Sequence, residues 1–216
     1  MCGSSSKRSI DTGGISVENK FFDAVKTRRT HYGLSKEKIV SEEKILGIVK
    51  EAVTHTPSAF NSQTARLVVL FDGQSDRLWD IVKGELRKIV PAEAFKKTEE
   101  KIDGSFRSGY GTILFFEDMS VVEGLQERFP LYKDNFPIWS DHSAGMHQFV
   151  IWTALSAEGL GASLQHYNPV IDNAVKKEWD IPVKWKLLAQ MPFGKPTDVP
   201  GEKEVMPLDE RIKVHK

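Results

Sequence analysis

From Ser16 onward, apolar side chains return at intervals of three and four. Val17, Phe21, Phe22 and Val25 form the first such stripe, with Ser16 placed to cap a helix. The stripe ends in Thr27-Arg28-Arg29-Thr30, and Gly33 breaks it. Ser41 is positioned to cap a second helix whose apolar face is Ile45, Ile48, Val49, Ala52 and Val53. The stretch Thr56–Thr64 follows, and then Arg66–Phe71 reads as a strand closed by an Asp72-Gly73 turn. A third helix is expected from Ser75 or Asp76, with Leu78, Ile81, Val82, Leu86 and Ile89 facing inward. Pro91 opens a more polar helical segment, Ala92–Ile102, whose Lys and Glu residues read as a solvated face. Gly104–Gly111 is loop-like, and Thr112–Phe116 is a second buried strand.

Further along, Val121–Arg128 reads as a short helix. Ile138–Glu158 is the longest helical pattern and is apolar on almost every side. Such a helix is buried on most faces, in a core or at a subunit interface. Gly159-Leu160-Gly161 stops it. A third strand is expected over Ala162–Gln165, a short helix over Ile171–Trp179, a fourth strand over Trp185–Met191 and a last short strand near Ile212. There is no internal repeat and no linker. The expected organisation is a flexible tail, residues 1–15, then one α+β domain, residues 16–216, with four to five mostly antiparallel strands surrounded by helices.

Composition narrows the function classes. In 216 residues, 30 Lys plus Arg balance 30 Asp plus Glu. That argues against nucleic acid as the main partner, because a phosphate-binding surface leaves a basic excess. The single cysteine, Cys2, allows no intrachain disulfide and suits a reducing compartment. No apolar run approaches the ~20 residues that span a bilayer. The expectation is a cytoplasmic protein, a nuclear site being compatible, that makes no membrane contact.

Most standard chemistry is missing. His142 and His147 are five apart and do not share a helix face, and no His-x-x-x-His or Cys-x-x-Cys pattern occurs, so no metal site is expected. There is no Gly-x-Ser-x-Gly elbow, no Gly-x-Gly-x-x-Gly turn and no Walker loop. Phosphate, if bound, must be held by side chains. Arg28-Arg29-Thr30 offers two guanidiniums and a hydroxyl for that task, although arginines at a helix C-terminus also serve the macrodipole alone. Thr56-Pro57-Ser58-Ala59-Phe60-Asn61-Ser62-Gln63-Thr64 offers hydroxyls and amides to a planar polar ligand. On composition alone the same stretch is an ordinary helix-to-strand turn. Arg107 reads as a solvated loop arginine.

Three motifs in order change this picture. Thr27-Arg28-Arg29-Thr30, Pro57-Ser58-Ala59-Phe60-Asn61-Ser62-Gln63 and Glu158-Gly159-Leu160-Gly161-Ala162-Ser163-Leu164-Gln165 together resemble the nitroreductase family of flavin enzymes. The likeness runs from about Phe21 to the C-terminus. Ser163–Pro169 is similar to the branch related to the yeast fatty acid repression mutant protein. The resemblance implies an FMN enzyme working as an intertwined homodimer, with a flavin at each subunit interface and NADH or NADPH as donor. It implies that Arg28, Arg29 and Thr30 hold the phosphate and flavin edge. Pro57, Ser58, Asn61 and Gln63 would come from the other subunit. Gln165, His166 and Tyr167 would lie beside flavin N5, and Lys203, four before Pro207, would grip the phosphate.

The chain also departs from that pattern. Tyr32 and Val205 stand where the family usually carries further cations, and Thr64-Ala65 replaces Pro-Trp. His166 and Tyr167 are bulkier than the usual residues beside N5, which implies a narrower pocket. The flavin carries the redox chemistry, which accounts for the lack of a catalytic constellation. The implied reaction is ping-pong reduction of a small nitroaromatic or quinone acceptor. His166 is the proton-donor candidate, since histidine changes charge near neutral pH; it reads equally as a structural histidine. A rival reading is a regulatory or sensing protein of the same fold in a stress or lipid response, binding flavin weakly and turning over little. A third is a fold-level relative without cofactor, whose long apolar helix serves only a dimer core.

Overall fold

The computed structural model describes residues 20–216. The tail, Cys2, the Ser16 cap and Val17 lie outside these. The first helix, α1 (Lys20–Thr27), leads to a two-residue strand, β1 (Leu34–Ser35), and then to α2 (Glu42–His55). Ser41 caps α2 as expected, its Oγ accepting from the Lys44 amide at 3.2 Å. A 3-10 turn at Ala59–Asn61 precedes β2 (Ala65–Phe71), α3 (Gly73–Arg87) and α4 (Ala92–Ser105). Next come β3 (Gly111–Asp118), α5 (Met119–Arg128) and α6 (Phe136–Ala157). The chain then forms β4 (Gly161–Ala162), α7 (Asp172–Glu178) and β5 (Trp185–Pro196).

The sheet order is β1-β5-β3-β2, with β4 also on β5 and every strand pair antiparallel. The central strand β3 is buried along its whole length, and its alternation builds two cores. Ile113 and Phe115 face α2 and α6, meeting Ile45, Val49, Ile151 and Leu155. Leu114 and Phe116 face the other way, onto Leu78, Trp79, Val82 and Ile102 of α3 and α4 and Val175 of α7. A bulge between Phe115 and Phe116 shifts the pairing from Ala189 to Leu187, which turns Leu187 to the second core while Ala189 stays in the first. Each large apolar side chain fully buried here contributes roughly 1.5–3 kcal/mol.

Several sequence expectations need correction. No strand forms near Ile212: the chain there makes a 3-10 turn at Leu208–Glu210 and is exposed. The third strand shrinks to β4 plus a single bridge, Gln165 to Gln190. The helix expected from Ile138 starts at Phe136, because Pro137 falls in the first turn, where its missing N–H is not needed. Ile89 is 63% exposed, and Trp79 takes the inward place, its Nε1 donating to Thr112 Oγ1 at 3.0 Å. Phe21 and Phe22 lie exposed on α1, as do Met146, Phe149 and Val150 on α6. Among the described residues, no helix is long and apolar enough to cross a membrane.

Candidate functional site

The Arg28-Arg29-Thr30 segment lies just beyond α1 and is tied to the sheet by its neighbours. Thr30 bridges Ala162 of β4 in parallel, and the His31 amide donates to the Ala162 carbonyl at 3.0 Å. A Cβ on Gly161 would stand 2.9 Å from His31 Cβ and 3.0 Å from Pro196 Cβ, so only glycine allows this approach. Gln165 exchanges backbone hydrogen bonds with Gln190 of β5 at 2.7 and 2.9 Å. The Gln190 side chain, fully buried, accepts from the Tyr167 amide at 2.8 Å. The first and third motifs are therefore neighbours, held together by β4 and β5.

A cavity of about 470 Å³ opens beside them, lined by Arg28, Arg29, Thr30, Tyr32, Lys203 and the segment Asp198–Gly201. Lys203, at the far end of the chain, thus joins the two arginines. The Arg28 guanidinium stacks on Trp152 of α6, 4.5 Å from the ring centroid. Its Nε is buried without a hydrogen-bond partner. Burial, with the charge of Arg29 second, lowers its pKa below the usual arginine value. Arg29 Nη2 donates to the Gly201 carbonyl at 2.6 Å.

The residues expected beside this pocket divide. Gln165 Nε2 donates to Ser163 Oγ at 3.0 Å and His166 is exposed. The Tyr167 ring turns inward, with centroids 5.9 Å from Trp79 and 6.2 Å from Phe106, so its side chain belongs to the second core. Arg107 lies elsewhere, paired with Asp80 at 3.0 Å.

The second motif forms a separate loop closed by its own hydrogen bonds. Ser58 Oγ accepts from the Gln63 amide at 3.0 Å, and Arg66 Nη1 donates to the Gln63 carbonyl at 2.8 Å. Phe60, Asn61 and Gln63 all have positive φ, between 49° and 58°. Such strain persists only where the surroundings over-determine it. Here Phe60 sits among Phe129, Phe136, Tyr132 and Trp139, with centroid distances of 5.1 to 6.1 Å. Ser143 of α6 donates to the Pro57 carbonyl at 3.2 Å. Ser143 and Trp152 stand nine positions apart on α6, roughly 13 Å along the axis. Within one chain, Pro57, Ser58, Asn61 and Gln63 do not reach the Arg28 pocket.

Between them lies an apolar groove of about 770 Å³, walled by Phe21, Ile48, Met146, Phe149 and Val150 and continuing to Thr56 and Pro57. Trp152, Asp198 and the aromatic seat of Phe60 escaped sequence reasoning. Trp152 was visible only as one apolar residue of a helix apolar all round.

The sequence matches the Nitroreductase family model over residues 25–195. The chain belongs to the nitroreductase family. Nitroreductase FRM2 of Saccharomyces cerevisiae is 36% identical over 191 residues, 88% of this chain and 94% of that protein, and the chain falls in its branch. Among solved structures, nitroreductase CinD from Lactococcus lactis in complex with nicotinic acid is 48% identical with a TM-score of 0.84, covering 91% of this chain and 100% of that one. A Desulfovibrio desulfuricans protein solved in complex with FMN shares the fold at 20% identity and a TM-score of 0.67, over 92% of this chain and 98% of that one.

Proposed function

We propose that the chain is an FMN-dependent NAD(P)H oxidoreductase that works as a homodimer and reduces nitroaromatic or quinone-type acceptors. The observation that carries this reading is the Arg28–Arg29–Lys203 pocket, with a buried guanidinium N–H that has no partner. Leaving a buried donor unsatisfied costs free energy that a phosphate oxygen would recover. Three cations and the Thr30 hydroxyl are a donor set that fits a phosphate monoester.

When bound, FMN would supply the redox chemistry of a ping-pong cycle between NADH or NADPH and the acceptor. The protein binds and orients. Arg28, Arg29 and Lys203 hold the phosphate, and Gln165, fixed on β5, presents the strand edge to the ring. His166, exposed at that edge, is the proton donor in this reading. Tyr167 acts through its backbone, its ring being committed to the core. The loop bearing Pro57, Ser58, Asn61 and Gln63 serves the flavin of a second copy. Its distance from the Arg28 pocket within one chain and the apolar groove beside it support that arrangement. CinD, solved with nicotinic acid, chloramphenicol and 4-nitrophenol, supports small aromatic ligands.

The test is reconstitution with FMN, followed by flavin fluorescence and NADH oxidation. Arg28→Ala and Lys203→Ala should each weaken flavin binding about 10- to 100-fold, the range for one charge-assisted hydrogen bond, and lower activity in parallel. A chain that neither binds flavin nor oxidises NADH with any quinone or nitroarene ends the proposal. Variants that lose flavin yet keep their cellular effect would favour the sensing role.

A further inference from the structure

Strand β5 ends at Pro196, and every residue from Gly201 to Lys216 is exposed. What carries Lys203 back to the arginines is the short segment between. The Thr197 amide donates to the Gly33 carbonyl at 2.9 Å. Asp198 then accepts three hydrogen bonds from the body of the molecule. Its Oδ1 lies 2.7 Å from His31 Nδ1, which must carry the proton because a carboxylate only accepts. Its Oδ2 takes the amides of Tyr32 at 3.0 Å and Gly33 at 2.9 Å. A Cβ on Gly33 would stand 2.7 Å from Thr197 Oγ1 and 3.0 Å from Asp198 Cβ, so the segment lies directly on the glycine. One further tie follows, from Arg29 to the Gly201 carbonyl.

A carboxylate in the wall of a phosphate pocket is out of place on charge alone. Its lone pairs are engaged by donors on the chain that follows Arg28-Arg29-Thr30, which joins the two halves of the pocket. We propose that Asp198 is a positioning residue for phosphate binding, a latch that holds Thr197–Lys203 over Arg28 and Arg29 and sets where Lys203 stands. The proposal rests on the phosphate-binding reading above, and it goes beyond the residues that family likeness assigned.

The sign of one substitution separates a latch from a bystander. Asp198→Asn keeps the size, removes a negative charge and cannot accept from all three donors. Coulomb's law alone makes it bind an anion more tightly. A latch makes it bind FMN more weakly, by about tenfold, the equivalent of one hydrogen bond to a charged group. The measurement is FMN fluorescence titration of the wild type, Asp198→Asn, Lys203→Ala and the double variant. The double variant should bind no more weakly than Lys203→Ala, because Asp198 acts through Lys203.

A second readout needs no flavin. Tryptic cleavage after Lys203 should be several-fold faster in Asp198→Asn, with the thermal midpoint of the body lowered by no more than ~2–4 °C. Unaltered or tighter FMN binding, additive losses in the double variant, or unaltered cleavage would each overturn the latch. Should Asp198→Asn fail to fold, His31→Ala removes one donor from the body side and should accelerate the same cleavage; an unchanged rate overturns the proposal. If the wild type takes up no FMN, the cofactor reading falls by itself, and the cleavage comparison alone decides the latch.

Discussion

Among the described residues, Glu117 is a fully buried carboxyl that forms no ion pair. It lies at the end of β3, fully enclosed, with Ser140 Oγ donating to Oε2 at 2.6 Å. Burial pushes its pKa up; the Ser140 hydroxyl and then the Thr64 hydroxyl pull it back less, Asp141 adds to the rise and Arg66 opposes it. The folded state therefore holds the proton more tightly than the unfolded chain. Its contribution to stability is complete below the ordinary carboxylate range and is lost as pH rises through the higher folded value. Glu117→Gln should remove that loss, so thermal midpoints measured from pH 4 to pH 8 should fall less in the variant than in the wild type. An identical slope in both would refute the assignment. Neither this environment nor the Trp152 ring beneath Arg28 is legible at residue level in the sequence, because burial belongs to the neighbours and not to the residue.

At the scale of elements, local rules did most of the work. The period-four stripe and the Ser41 cap define α2, and replacing Ser41 with Ala should cost about 1 kcal/mol, lowering the melting temperature by ~2–4 °C. Apolar runs bounded by turn residues such as Gly and Pro mark the buried strands. β1, two residues long, left no such signal and exists only through its pairing with β5 at Leu34–Pro196 and Ser35–Lys195. That crossing packs backbone on backbone. A Cβ on Gly194 would lie 2.5 Å from the Ser35 carbonyl oxygen and 3.0 Å from the Tyr110 amide nitrogen. Backbone on both sides cannot yield as a flexible side chain does, so Gly194→Ala should destabilise by about 1–3 kcal/mol or more, read by denaturant unfolding. The final strand expected near Ile212 does not form: apolar residues recur there, but the segment pairs with neither β1 nor β2, the two edge strands of the sheet.

At the scale of the whole molecule, the exposed aromatic and aliphatic face of α1, α2 and α6 has the character of an interface core. In the proposed dimer, Val150→Asp buries a charge there and should yield monomers by light scattering. The same variant should lose flavin, because Ser58 and Asn61 are then absent from the partner's site, while tryptic cleavage after Lys203 stays at the wild-type rate. A dimer that persists, or a monomer that keeps its flavin, would contradict the shared site. The sequence by itself determined the longer helices and the strands β2, β3 and β5, and three motifs in order, since helix and strand periods and turn residues are local properties. Only the tertiary structure decided which of these meet. Arg29 and Gly201, 172 positions apart, come into contact, whereas the Pro57–Gln63 loop and Arg28 stay about 13 Å apart along α6. Helical stripes such as that of Phe21 and Phe22 state that a face is apolar; whether one chain can cover it depends on the packing of every other element.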